Sequence, residues 1–191
     1  MQELKEKILK EGLAIGTEVV KVDRFLNHML DVEFLERIGK EFRKRFEDCE
    51  IDKILTVEAS GIAVACLAAQ YFEYPLVVFA KKTSPNTMTE DFYEADARSF
   101  TKGTVSKFRV SKNLLHAGEK VLIIDDFMAH GEASLALTEI VKQAGGEIIG
   151  IGAVIEKRGF QGGSRKLRDR GYKVESLAVI REISDGNIIF D

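Results

Sequence analysis

The 191-residue chain has little of what a disulfide-stapled or metal-built protein needs. Cysteine occurs twice, as Cys49 and Cys66, with no CxxC pair or zinc-ligand spacing around either. Two lone thiols suit a reducing cytosol. The three histidines, His28, His116 and His130, are far apart in sequence, so no structural metal site is expected. Long apolar runs are also missing: "GIAVACLAA" and "IIGIGAVI" are too short to span a bilayer. The chain opens on "MQELKEKILKEG", a charged helical pattern and not a signal peptide, so a cytoplasmic protein without a membrane partner is expected. A strong basic balance is absent as well, and a formal net charge of -3 argues against general nucleic-acid affinity. There is no repeat, low-complexity segment or interdomain linker. A chain of 191 residues is enough for one α/β domain and short for two.

What is present is a change of rhythm near residue 51. Before it, Leu4, Ile8 and Leu9 have helical spacing, with Gly12 as a stop. "VEFLERIGKEFRKRF" (32–46) places Phe34, Leu35, Ile38, Phe42 and Phe46 on one helical stripe. The stretch "GTEVVKVDRFLNHML" between them has mixed character. After residue 51, apolar strands alternate with helices: strand 53–58, helix 61–72, strand 75–80, strand 121–125, helix 132–144, strand 147–156, helical turn 164–171 and strand 173–180. Continuous apolar strands separated by helices predict an α/β fold with a mostly parallel central sheet flanked by helices. Residues 81–112 break the pattern. They read as a polar lid, with "SFTKGTVSKFRV" as a hairpin around Lys102-Gly103.

The chemistry-bearing stretch is "VLIIDDFMAHGEA" (121–133). Ligands of a parallel sheet bind beyond the carboxyl ends of its strands. Asp125 and Asp126 stand at such an end, and the helix that follows begins near Gly131 or Glu132. Its N–H groups and dipole suit a phosphate. Two carboxylates for vicinal hydroxyls beside an anion cradle suit a sugar phosphate. The same residues taken alone would also end a strand and cap a turn.

The pattern of apolar strand, acidic pair, apolar pair and loop opening a helix resembles the signature of type I phosphoribosyltransferases. "KVDRFLNH" (21–28), "TVEASGIA" (56–63), "VFAKK" (78–82), "SFTK" (99–102), "IVKQAGGEIIGIGAVIEK" (140–157) and "GYKVESLAVI" (171–180) extend the resemblance over nearly the whole chain, to the branch that uses xanthine. The resemblance implies a type I phosphoribosyltransferase fold in one unit, 1–191. Residues 1–50 would form helices and a base-binding hood. Residues 51–191 would form the core, with a flexible active-site loop at about 81–112. The implied partners are xanthine, 5-phosphoribosyl diphosphate (PRPP) and a second copy in a homodimer. Mg²⁺ would arrive on the diphosphate, without a dedicated protein site.

Residue by residue, the resemblance makes Asp125 and Asp126 the ribose ligands and Ala129, His130, Gly131, Glu132 and Ala133 the 5′-phosphate loop. Ser60 and Gly61 would accept diphosphate, with Glu58 and Ala59 in the same turn. Lys81 and Lys82 would neutralise it, Lys82 counted with the catalytic groups. Val20, Asn27 and Lys157 would hold the purine. The phosphate loop departs from the wider family in having no Thr or Ser before Ser134, so backbone N–H groups should carry the binding and Glu132 should point outward. His130 stands where the xanthine branch often has Asn, and Lys81 where it has Arg. On the residues alone, Ser60 is also a good helix N-cap, Lys81-Lys82 a solvated pair, and Asn27 and Lys157 ordinary surface residues. The implied reaction is attack of a purine nitrogen on the ribose anomeric carbon as diphosphate leaves, giving xanthosine 5′-monophosphate. Another purine base, or a non-catalytic purine or PRPP sensor of the same fold, are the alternatives.

Overall fold

In the computed structural model, which describes residues 1–82, 91–99, 104–158 and 162–191, the strand–helix alternation becomes a six-stranded sheet. The elements in chain order are α1 (Gln2–Glu11), β1 (Leu13–Ile15), β2 (Val19–Lys21), a π-helical turn (Asp23–Asn27), α2 (Val32–Arg45), β3 (Lys53–Val57), α3 (Ser60–Ala69), β4 (Leu76–Ala80), β5 (Phe92–Ser99), β6 (Thr104–Ser111), a 3₁₀ turn (Lys112–Leu114), β7 (Lys120–Met128), α4 (Glu132–Ala144), β8 (Glu147–Lys157), α5 (Gly163–Arg168), β9 (Val174–Ser184) and β10 (Asn187–Phe190). The sheet order is β10-β9-β8-β7-β3-β4. All neighbours are parallel except β10, which returns antiparallel on β9.

Both faces of the sheet are covered, which is why its central strands are apolar throughout rather than alternating. On one face, Phe34, Leu35, Ile38 and Phe42 of α2 and Val64, Ala65 and Ala68 of α3 pack with Leu4 and Ile8 of α1 against Ile54, Leu122, Ile124 and Val154. On the other, Leu137, Ile140 and Val141 of α4 meet Leu55, Val57, Ile123, Ile151 and Ala153. The stripe on α2 needs room on β8. A Cβ on Gly150 would lie 2.4 Å from Phe46 Cε1, and one on Gly152 2.7 Å from Phe42 Cε1. Two glycines in a strand thus admit two phenylalanine rings. Helix ends follow local chemistry: the Asp31 carboxylate accepts from Phe34 N–H at 3.1 Å to cap α2. Gly145, at φ 74°, ends α4, with its N–H on Lys142 O and that of Gly146 on Val141 O.

Four sequence expectations change. The strand read as 121–125 runs on to Met128, because β8 pairs with it as far as Met128↔Glu156. The segment expected to be a polar lid with a hairpin around Lys102-Gly103 does hold an antiparallel ribbon, but a longer one: β5 and β6 are in register from Phe92↔Ser111 to Ser99↔Thr104. Its Ala95, Ala97, Phe108 and Val110 are buried in the cluster that contains α4, a period-2 pattern hidden in a polar composition. Residues 83–90 and 100–103 of that segment, Lys102 and Gly103 among them, lie outside the described residues. The mixed stretch after α1 is a β1–β2 hairpin and the π turn. The strand read as 173–180 extends to Ser184 and turns back through Asp185 and Gly186, both at positive φ, into β10.

Candidate active site at the switch point of the sheet

The chain leaves β3 for β4 on one side and later returns as β7 on the other. The direction of winding therefore reverses between β3 and β7, the position where open parallel sheets bind ligands. The strands also separate there. β3 pairs with β7 only from Lys53↔Val121 to Leu55↔Ile123, while β7 stays with β8 to Met128. Asp125 and Asp126 follow the last β3–β7 pair, at the fork.

Asp125 is buried, paired across the sheet with Ala153, and its Oδ1 accepts from Asp126 N–H at 3.0 Å. Burial, and then the neighbouring Asp126 charge, push its carboxyl well above the usual carboxylate range; Lys82 acts in the opposite sense. Opposite lies the turn between β3 and α3, with a cis peptide between Glu58 and Ala59. A Cβ on Gly61 would stand 2.2 Å from Thr56 Oγ1 and 3.0 Å from Asp125 Oδ1, so only glycine lets the start of α3 approach the aspartate this closely. Thr56 Oγ1 is buried there without a hydrogen-bond partner. Ser60 is the first residue of α3 and not its cap: Ala59 holds the cap position, with no side-chain hydrogen bond to the helix end.

Beyond β7, Gly131 takes the left-handed conformation, φ 79°, that turns the chain into α4. No side chain caps this helix either, and its backbone N–H groups form the start expected of a phosphate cradle. Glu132 pairs with Lys166 of α5 at 3.4 Å, and Lys166 also donates to His130 O at 3.2 Å. The carboxylate that would repel a phosphate is thereby engaged by a cation.

The remaining expected residues divide. Lys82 donates its backbone N–H to Glu58 Oε1 at 2.6 Å, joining the ends of β3 and β4. Lys81 is bridged through its backbone to Arg109 of β6 and lines a cavity of about 740 Å³ outside β4, with Leu76, Phe79 and His116. Lys157 ends β8 with its ammonium 5.6 Å from the Phe127 ring centroid and donates to Glu18 O at 3.0 Å, which draws the β1–β2 hairpin toward the sheet. Burial lowers the Lys157 ammonium, and Glu18 opposes that. Val20 lies buried in this hairpin opposite Ala14, and Asn27 ends the π turn in an exposed position. Sequence reasoning missed Phe127, which had looked like one of a nondescript apolar pair. It also missed Gly163, whose N–H donates to Ala129 O at 3.0 Å. The Gly162-Gly163 pair before a helix was a readable signal of close backbone approach.

This arrangement belongs to a known class. Residues 28–187 match the model of the phosphoribosyl transferase domain, and the chain belongs to that family. It is 55% identical over 190 residues to xanthine phosphoribosyltransferase 1 of Clostridium perfringens, covering 100% of both chains. It is 53% identical to the xanthine phosphoribosyltransferase of Clostridium novyi, over 100% of this chain and 99% of that one. Among solved structures, adenine phosphoribosyltransferase from Rhodothermus marinus superposes with a TM-score of 0.75 at 20% identity, over 94% of this chain and 100% of that one. The Trypanosoma brucei adenine phosphoribosyltransferase, solved with AMP, pyrophosphate and ribose-5-phosphate, gives 0.73 at 17%, over 92% and 79%.

Proposed function

We propose that the chain is a xanthine phosphoribosyltransferase of purine salvage, a pentosyltransferase that makes xanthosine 5′-monophosphate and diphosphate from xanthine and PRPP. The observation that carries the reading is full-length 55% identity to a xanthine phosphoribosyltransferase, in a chain whose acidic pair sits at the switch point of the sheet. Asp125 and Asp126 accept from the ribose hydroxyls. Backbone N–H groups of Ala129, His130, Gly131, Glu132 and Ala133 hold the 5′-phosphate. Ser60 and Gly61 receive diphosphate at the start of α3, and Lys81 and Lys82 offset its charge. Lys157 and Phe127 face the base from the sheet, and Val20 and Asn27 from the hood. An Asn amide both donates and accepts, as a purine oxo edge requires.

The protein's part in the reaction is positioning, charge stabilisation and exclusion of water from an oxocarbenium-like sugar. Asp125 and Asp126 are ribose ligands in this reading and at most indirect partners of a hard cation that keeps waters and substrate oxygens as its ligands. Mg²⁺ carried by the diphosphate would offset charge on the leaving group. The same reading makes 1–191 a single cytoplasmic unit; no helix among the described residues is long and apolar enough to cross a membrane. It also makes the protein a homodimer. Exposed Leu76 and Phe79 on the outer edge of β4 favour a covered surface there, and light scattering tests it.

The deciding experiment supplies PRPP and Mg²⁺ with xanthine, hypoxanthine, guanine or adenine in turn. Xanthosine monophosphate should form preferentially, and joint Asp125→Asn and Asp126→Asn substitution should abolish it. Preference for another base overturns the base assignment. No turnover by folded protein overturns the enzyme reading.

A further inference from the structure

Behind the loop at 129–133 lies a buried polar cluster that the reaction does not use directly. Glu156 is fully buried at the last β7–β8 pair, opposite Met128. Its Oε1 accepts from Ser164 Oγ and, at 3.1 Å, from Arg158 Nε; its Oε2 accepts from Ser176 Oγ of β9 at 2.6 Å. Burial pushes the Glu156 carboxyl up, but these three donors outweigh it and hold the group below the ordinary carboxylate value. Ser164, also fully buried, takes a further bond from Arg168 Nη1 at 3.1 Å, and Arg168 Nη2 donates to Val174 O at 2.9 Å. The cluster thus fastens the first turn of α5 to β8 and β9.

The other side of α5 grips the loop. Gly163 N–H bonds Ala129 O, and a Cβ on Gly163 would lie 2.4 Å from Gly131 N and 2.5 Å from Ala129 O. The reciprocal Cβ on Gly131 would lie 3.0 Å from Gly163 Cα and O. Lys166 adds its bond to His130 O and its pair with Glu132. The path from Glu156 to the loop is therefore two steps: carboxylate to the Ser164 hydroxyl, and the Gly163 backbone to Ala129 and Gly131. A cradle built from main-chain N–H groups has no side chain to adjust, so its geometry is that of whatever it rests on.

We propose that Glu156 is a positioning residue for the 5′-phosphate site, acting through Ser164 and α5 to hold residues 129–131 in the phosphate-binding conformation. The proposal rests on the assignment of that loop to the 5′-phosphate.

The test compares Glu156→Gln and Ser164→Ala with Gly131→Ala in the full-length protein. Calorimetry measures ribose 5-phosphate and, separately, inorganic diphosphate. Gln keeps the size but loses the charge that the Arg158 guanidinium and both hydroxyls bond; Ala keeps that charge and removes the Ser164 hydroxyl, with its bond to Glu156 and the one it accepts from Arg168. Both should weaken ribose 5-phosphate binding roughly tenfold and leave diphosphate within about twofold, as expected for loss of one charge-assisted contact. In turnover, KM for PRPP should rise more than kcat falls, whereas general loosening of the fold would depress both and weaken both ligands. Uniform weakening overturns the proposal. So does unchanged ribose 5-phosphate binding in folded Glu156→Gln and Ser164→Ala while Gly131→Ala loses it; the loop assignment then stands alone. If Gly131→Ala also binds ribose 5-phosphate normally, the loop assignment fails and takes the proposal with it. Should Glu156→Gln not fold, Ser164→Ala decides.

Discussion

Asp125 is held where a carboxylate is least comfortable. It is buried, beside a second carboxylate and a threonine hydroxyl with no partner, and its raised pKa expresses the cost of ionising it there. The sign follows directly. A carboxyl whose folded pKa is raised binds a proton more tightly in the fold than in the unfolded chain, so stability falls as pH rises from about 4 through the raised value. Asp125→Asn should therefore abolish transfer yet raise the melting temperature at neutral pH. A gain of about 2–4 °C, for roughly 1 kcal/mol, is expected. It should fade toward pH 4, which thermal scans across pH would show. A melting temperature lowered at neutral pH would contradict this account. Such an exchange of stability for a charge placed at substrate is common where sites are built inside folds.

At the scale of elements, the most legible features were those written in one periodicity. The α2 stripe, the apolar β3 and β8, and the Gly145-Gly146 stop of α4 all follow from spacing and turn chemistry. Three strands were legible only in part: a hairpin around Lys102-Gly103 was expected but not the full length of β5 and β6, and β10 was not expected at all. β5 and β6 alternate small or aromatic buried residues with charged ones, so their composition resembles a loop while their burial has period 2. β10 was signalled by Asp185-Gly186 between apolar segments, a hairpin pair read too lightly. The candidate site divided in the same way. Gly131 opens α4 as the local pattern suggests, Asp125 lies within β7 rather than at its end, and Lys157 was singled out by the resemblance alone. Gly163, Glu156 and Phe127 make contacts across the sheet that no local pattern encodes. The glycine sockets of β8 make a sharp test. Phe42→Ala should cost about 3–5 kcal/mol by emptying a buried socket. Gly152→Val should destabilise comparably by driving a methyl into the same ring. Chemical denaturation measures both, and a loss under about 1 kcal/mol in each would refute the packing argument.

Across the whole molecule, the N-terminal segments are tied to the far end of the chain. The Met1 ammonium donates to Leu177 O and Lys5 to Asp191 O; Asp191 is held in turn by Arg158, just past β8, at 2.8 Å. Asp31 adds a joint between α1 and α2, pairing with Lys7 at 2.8 Å while it caps α2. Lys7 first, and then the Phe34 N–H, hold its carboxyl below the ordinary value. That stability is present above about pH 4 and lost as pH falls through the lowered value. Asp31→Ala should lower stability by about 1 kcal/mol near neutrality. The difference from the parent protein should close in acid, where the parent loses the same bonds. A gap that persisted at pH 2 would show that the carboxylate's charge is not the cause.

The backbone contact between Gly131 and Gly163 also sets a rule for how this loop can diversify. Each glycine occupies the space in which the other's side chain would grow, so neither position opens when its partner changes. A library randomised over 129–133 should return variety at 129, 130, 132 and 133 and almost none at 131, and one randomised over 162–164 should remain fixed at 163. The two strands of sequence, some thirty residues apart, are thereby inherited as a single unit.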